Sequence, residues 1–201
     1  MTLYLLAISL VTGVALGLLA CLGSLRRRGI IYIFSRIYVD FFRTTPEMAL
    51  IFWAYFCLPP IFNIRMSAMS TGIVALSLVA GAFLAEIFRA GVQAVPSGQI
   101  EASEALGIPP LHRWLKILLP QATRRMLPAF INYLTELLKL TTLLSAIAVY
   151  ELSYQAYTLS AQTFRYVEFL TAIAIIYFII IFPISLAARQ LEAHVLRRTG
   201  Y

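Results

Sequence analysis

From Leu3 to Leu22 the chain runs twenty residues without a charge. Wound as a helix, that run is about 30 Å long, the thickness of a bilayer's hydrocarbon core. Four further apolar stretches follow, at about 46–62, 69–88, 127–150 and 167–188. A backbone in hydrocarbon must satisfy its polar groups internally, so such runs predict helices. The expectation is an all-α polytopic membrane protein, one transmembrane domain over residues 1–201, with five spans. The second stretch is the shortest, and the amphipathic residues Ile30 to Phe42 before it could lengthen it. Composition agrees: 61% of residues are hydrophobic and 12% charged, against roughly half and a quarter in soluble domains.

The distribution of Lys and Arg orients the spans. Arg26, Arg27, Arg28, Arg36 and Arg43 follow the first span. Arg89, Arg113, Lys116, Arg124 and Arg125 follow the third, and Arg189, Arg197 and Arg198 the fifth. Only Arg65 and Arg165 fall in the alternate segments, with Lys139 inside the fourth span. This predicts the N-terminus outside and the C-terminus in the cytoplasm. The net charge of +7 follows from that bias. No basic stripe stands apart from the apolar segments, which argues against nucleic acid as a partner and for lipid. Thr2 leads straight into Leu3 with no basic stretch before it, so no cleaved leader is expected. Cys21 and Cys57 lie in or beside apolar runs, far apart, and read as packed thiols.

Charges return between spans three and four, in a segment at about 96–125. Pro96 and Ser97-Gly98 start a short helix. Gly107 ends it, because a left-handed C-cap costs glycine least. Pro109 opens a second helix at its first position, and Pro120 closes it. Leu111, Trp114, Leu115 and Leu118 fall on one face of that second helix. His112, Arg113 and Lys116 lie on the other. The periodicity fits either a helix lying on the membrane surface through Trp114 or a docking element for a soluble partner.

Here the residues carry a resemblance. Glu101-Ala102-Ser103, Gly107 six residues after the glutamate, Ile117 ten further on and Leu119-Pro120 resemble the Glu-Ala-Ala loop of ABC-importer permeases. Ser103 stands where the second alanine is usual. "YVDFFRTTPEMALIFWAYFCLP", "AEIFRAGVQAVPSGQIEA" and "LPQATRRMLPAFINYLTELLKLTTLLSAIAVYEL" are similar to further segments of the polar amino acid uptake permeases of the histidine, glutamine, arginine and opine type. Thr44 replaces a usual glycine, Glu47-Met48 a usual apolar pair, and Leu140 a usual acidic residue after Lys139. The resemblance implies the type I importer (MetI-like) transmembrane fold, five spans per subunit and a bacterial cytoplasmic-membrane location. It implies a second permease subunit, identical or homologous, a cytoplasmic ATPase pair holding ATP and magnesium, and an extracytoplasmic substrate-binding protein. It implies that Gly98, Gln99, Glu101, Ala102, Ser103, Gly107, Ile117, Leu119 and Pro120 couple to the ATPase.

Charges inside spans are costly, about 2.5–3.5 kcal/mol each on insertion scales, and tend to face a partner or a cavity. In the fourth span Asn132, Glu136, Lys139, Thr142 and Ser145 form a polar stripe. It fits either subunit packing through a Glu136–Lys139 pair or the lining of a translocation path. Glu151 at the outer end either holds a substrate ammonium or guanidinium or caps the span. Glu86 and Arg89, three apart, read as a structural ion pair. Ser77, Gly81 and Ala85 allow close helix approach. Trp53, Tyr55 and Tyr150 suit the membrane interface better than a ligand site.

No G-x-x-x-x-G-K-[ST], H-E-x-x-H or C-x-x-C pattern occurs, and His112 and His194 stand alone. No catalytic residue and no metal site is expected, and any ATP is bound by a partner chain. An ion-driven secondary transporter or channel is the alternative function. It would need coupling-ion sites and usually internal repeats, and no repeat is present. A membrane scaffold without transport is a third class.

Overall fold

The apolar run at the start forms helix α1 (Thr2–Leu25). Its small residues decide what it packs against. Ser9, Gly13, Gly17 and Ala20 are buried on one face, while Leu3, Val11 and Leu19 on the others are exposed. In this computed structural model, which describes residues 1–26 and 28–199 and the last six of these by backbone alone, that face lies along α5 (Ala68–Gln93). A Cβ on Gly13 would fall 2.6 Å from that of Ala80, and one on Gly17 2.9 Å from that of Leu84. The Thr12 and Ser77 hydroxyls hydrogen-bond across the seam. Small residues thus let two backbones approach where lipid supplies no hydrophobic drive. Arg27, the side chains of Arg197 and Arg198 in the charge pattern above, and that of His194 lie outside the described residues.

Between these two long helices come three shorter ones. Helix α2 (Ile30–Thr44) is amphipathic: Ile30, Ile33, Phe34, Ile37 and Phe41 are exposed while Val39 is buried. It does not lengthen the second span. The ring of Pro46 disfavours helical backbone at the residue before it, and Thr45 is extended, with ψ 133°. The second span is itself broken. Helix α3 (Glu47–Phe56) gives way at Cys57 to α4 (Leu58–Phe62), which carries its prolines in its first turn and ends at Asn63 with φ 50°. Two consecutive prolines remove two helical N–H donors, so one continuous helix is not available there.

After α5 the chain makes helix α6 (Ser97–Ala105), a turn, and helix α7 (Pro110–Arg113). Pro120 does not close the second helix of this pair. A π-helical turn over Trp114–Leu118 leads directly into α8 (Leu119–Leu140), with Pro120 in its first turn. The wider turn just before the proline makes room for its ring and uses a bond one residue longer, Leu119 N–H to Trp114 O, so the helix continues.

Helix α8 tightens into a 3₁₀ helix over Thr141–Ile147 and stops at Ala148, φ 57°. The segment after Glu151, expected to be an external loop, is helix α9 (Leu152–Thr163). The last helix, α10 (Tyr166–Thr199), packs on α8 and α9. Val167, Phe178, Ile179 and Phe182 on it are exposed, as suits a helix facing lipid.

Among the described residues, three helices are long and apolar enough to cross a membrane: Thr2–Leu25, Ala68–Gln93 and Tyr166–Ala193. The pair Pro110–Ile147 and Leu152–Thr163, bent by 47°, makes a fourth if the two are counted as one broken span. The fifth expected span rests on α3 and α4; α3 alone is 10 residues, about 15 Å, half a bilayer. The core that holds the bundle lies between α1, α3, α5, α8 and the 3₁₀ turn, with Leu5, Ile51, Leu76, Leu84, Leu137 and Leu144 fully buried. Among the described residues there is no strand.

Candidate coupling segment and transport path

The hairpin of α6 and α7 is built by its turn. Leu106 caps α6, Gly107 takes φ 67°, and two bonds close the end: Gly107 N–H to Glu104 O at 2.9 Å and Ile108 N–H to Ser103 O at 3.0 Å. That pairing is the Schellman motif, with glycine at the left-handed position. A Cβ on Gly107 would meet nothing within 4 Å, so the backbone angle, not space, asks for glycine. Arg113 and Glu104 pair across the two arms, and Gln121 donates to Gln99 at 3.4 Å.

The hairpin is anchored on one side and free on the other. Val95, Leu118 and Ala122 form a small core of their own, with Val92, Ile100 and Met126 against it. Ser103 is buried, and its hydroxyl donates to Ile100 O at 2.6 Å. Of the expected coupling residues, Gly98, Gln99, Glu101, Ala102, Gly107, Leu119 and Pro120 are exposed, Ile117 is half-buried and Ser103 faces inward. The single apolar face expected for Leu111, Trp114, Leu115 and Leu118 is split by the π turn. Leu118 is buried, Trp114 lines a cavity with Leu22 and Met126, and Leu111 and Leu115 stay exposed at 67% and 56%. Together with Leu106, 78% exposed, they leave an uncovered apolar surface on the hairpin.

The polar stripe of α8 also survives as a geometry. Asn132, Glu136 and Lys139 are exposed, and Lys139 Nζ lies 3.4 Å from Glu136 Oε2. Beyond Leu140 the 3₁₀ helix has three residues per turn. Thr142 and Ser145 therefore stack in line with Lys139, each donating its hydroxyl to the carbonyl three residues back at 2.7 Å. The opposite face of α8 is core: Tyr133 stacks on Phe83 with ring centres 5.4 Å apart.

Glu151 stands apart from this stripe and acts as a cap. It is fully buried. One carboxylate oxygen accepts from Tyr154 N–H at 2.8 Å and the other from the Tyr177 hydroxyl at 3.3 Å. Both oxygens are occupied by the chain itself. Leu152 N–H donates to Thr2 Oγ1 at 3.0 Å, which sets α9 beside the start of α1.

Glu86 and Arg89 pair as expected, through two hydrogen bonds. The structure adds two partners that sequence reasoning missed: Arg36 Nη1 at 3.6 Å and Arg43 Nη1 at 3.9 Å, both from α2. A signal was present, since Arg36, Asp40 and Arg43 share one helical face. Which helix that face meets was not legible.

Residues 13–199 match the family of binding-protein-dependent transport system inner membrane components. The chain belongs to this family. A putative glutamine transport system permease protein of Rickettsia conorii is 32% identical over 185 residues, 92% of this chain and 85% of that one. An arginine transport system permease protein of Bacillus subtilis is 32% identical over 192 residues, covering 95% and 87%. The crystal structure of an amino acid ABC transporter with histidines superposes with a TM-score of 0.89 at 31% identity, over 96% of this chain and 90% of that chain. The methionine ABC transporter MetNI in inward-facing conformations gives 0.76 at 23% identity, over 96% and 92%, a likeness of fold. The chain is thus a transport permease with the MetI-like fold, not an enzyme. The ion-driven alternative is not favoured, because the matching family is one of binding-protein-dependent transport and the structure at 31% identity is an ABC transporter.

Proposed function

We propose that this permease serves an ATP-driven importer of polar amino acids. Its relatives' glutamine and arginine systems support that solute class. The arginine bias sets the N-terminus outside and the hairpin in the cytoplasm of a bacterial cell. Two such subunits, identical or homologous, enclose the path, each covering the other's Asn132–Glu136–Lys139 face, which is uncovered in the single chain. A binding protein delivers the solute to the outer end, near α4, the residues that follow it to Ala68, and α9.

One observation carries the coupling role: the hairpin is anchored to both α5 and α8 yet presents Glu101, Ala102, Gly107 and Leu106 outward. Only three residues separate α5 from α6, and the second arm runs on into α8. A push on the hairpin from an ATPase pair therefore moves both helices, and α8 carries the stripe. A Cβ on Gly98 would meet nothing within 4 Å, so nothing in this chain demands glycine there. Close approach of a partner's backbone accounts for it. ATP and magnesium belong to that partner.

The test is reconstitution in liposomes with the ATPase and the binding protein. Uptake of L-glutamine or L-arginine is expected only with ATP and both partners. Uptake by the permease alone, driven by an ion gradient, would overturn the reading.

A further inference from the structure

At one end of the α8 stripe lies an open cavity of about 340 Å³ between α5 and α8. Arg43, Phe83, Glu86, Arg125, Met126 and Ala129 are in its wall. On α8, Arg125, Ala129, Asn132, Glu136 and Lys139 are spaced alternately four and three apart, one face of a helix. The cavity and the stripe are therefore continuous along that face.

Its charge is unbalanced. Glu86 is already held by Arg89 through two hydrogen bonds and approached by Arg36. Arg43 stands 3.9 Å from the same carboxylate, beyond hydrogen-bond reach, with its guanidinium carbon 5.5 Å from the centre of the Phe83 ring. Among the described residues Arg43 donates no side-chain hydrogen bond, and Arg125 has neither a hydrogen bond nor an ion pair. Each guanidinium offers five donors in a fork that fits a carboxylate or phosphate. The surplus is positive, and the volume suits a small molecule.

We propose that Arg43 and Arg125 form an anion-receiving vestibule at the end of the stripe, where the α-carboxylate of the transported solute binds before release. This rests on the amino-acid reading above. The carboxylate is common to all α-amino acids, so such a vestibule is indifferent to the side chain, as an exit should be. A lipid phosphate has the same chemistry. The solute is favoured because the cavity opens on the polar face of α8, whereas exposed apolar residues such as Val11, Leu19, Ile37 and Phe178 lie on α1, α2 and α10.

The test measures equilibrium binding of radiolabelled L-glutamine and L-arginine to the permease–ATPase complex in phosphatidylcholine nanodiscs, without binding protein. Arg125→Gln and Arg43→Gln are each expected to weaken both ligands about tenfold, the scale of one charge-assisted hydrogen bond. Arg125→Lys is expected to restore part of the affinity. L-Glutaminamide, which lacks the carboxylate, should compete poorly on wild type. Unchanged affinity in Arg125→Gln overturns the vestibule. So does an effect of either substitution confined to discs containing phosphatidylglycerol, which would assign the arginines to a lipid headgroup. If Arg43→Gln fails to fold for want of its Glu86 and Phe83 contacts, Arg125→Gln carries the test. Failure of ATP-driven uptake by wild type strikes the proposed function instead, so the two failures are separable.

Discussion

Gly17 and Glu151 show what a single residue reveals only once its neighbours are known. Glycines in an apolar run are compatible with a loose helix as well as a tight seam. At Gly17 the seam decides, because a Cβ there lies 2.9 Å from Leu84 Cβ and 3.1 Å from Gly81 O. Backbone on the far side cannot give way as a flexible side chain would. Gly17→Val is therefore expected to cost about 1–3 kcal/mol by overpacking. Thermal unfolding of the purified permease in detergent checks this; Gly98→Val, in open space, is the control that should not move. At Glu151 the residue type fitted a cap or a cationic ligand equally well. Its capping role depends on α9, and the short mixed sequence after it reads as loop, so the distinction was not legible. The Glu86 cluster is intermediate: its pair with Arg89 is local and could be read, whereas Arg36 and Arg43 come from another helix.

At the scale of elements, long apolar runs and terminal signals were legible and their interruptions less so. Helices α1, α5 and α10 start within one residue of their apolar runs but end beyond them, at Leu25, Gln93 and Thr199, and the glycine stop of α6 stands at Gly107 as expected. Proline was the misleading signal. Pro120 was expected to end a helix, but the π turn before it absorbs the ring, and α7, the π turn and α8 run on as one lever. Pro59-Pro60, read as part of a span, instead breaks it. Because Gly107 is chosen for its φ of 67°, Gly107→Val is expected to strain the turn by about 1–2 kcal/mol. The damage should be local: faster protease cleavage between α6 and α7, with the unfolding temperature of the bundle nearly unchanged. Equal cleavage rates would show that the turn tolerates a side chain.

At the scale of the molecule, the chain keeps apolar surface outside and leaves a charged face uncovered. The exposed residues of α10 suit lipid. The Asn132–Glu136–Lys139 face does not, and a second permease subunit covering it is the simplest way to keep those groups out of hydrocarbon. Sequence periodicity showed the stripe; it could not show that the 3₁₀ turn keeps Thr142 and Ser145 in line with it. Joined to the hairpin through α8, this face is what an ATPase would move.

The most direct measurement of that claim is the affinity of the ATPase for the permease carrying Glu101→Ala. Glu101 is exposed and makes no side-chain hydrogen bond or ion pair among the described residues, so its loss should leave the unfolding temperature unchanged. The coupling account expects ATPase binding weakened at least about tenfold, with ATP-driven uptake falling in parallel. Full ATPase affinity and full uptake in a normally folded Glu101→Ala permease would contradict it.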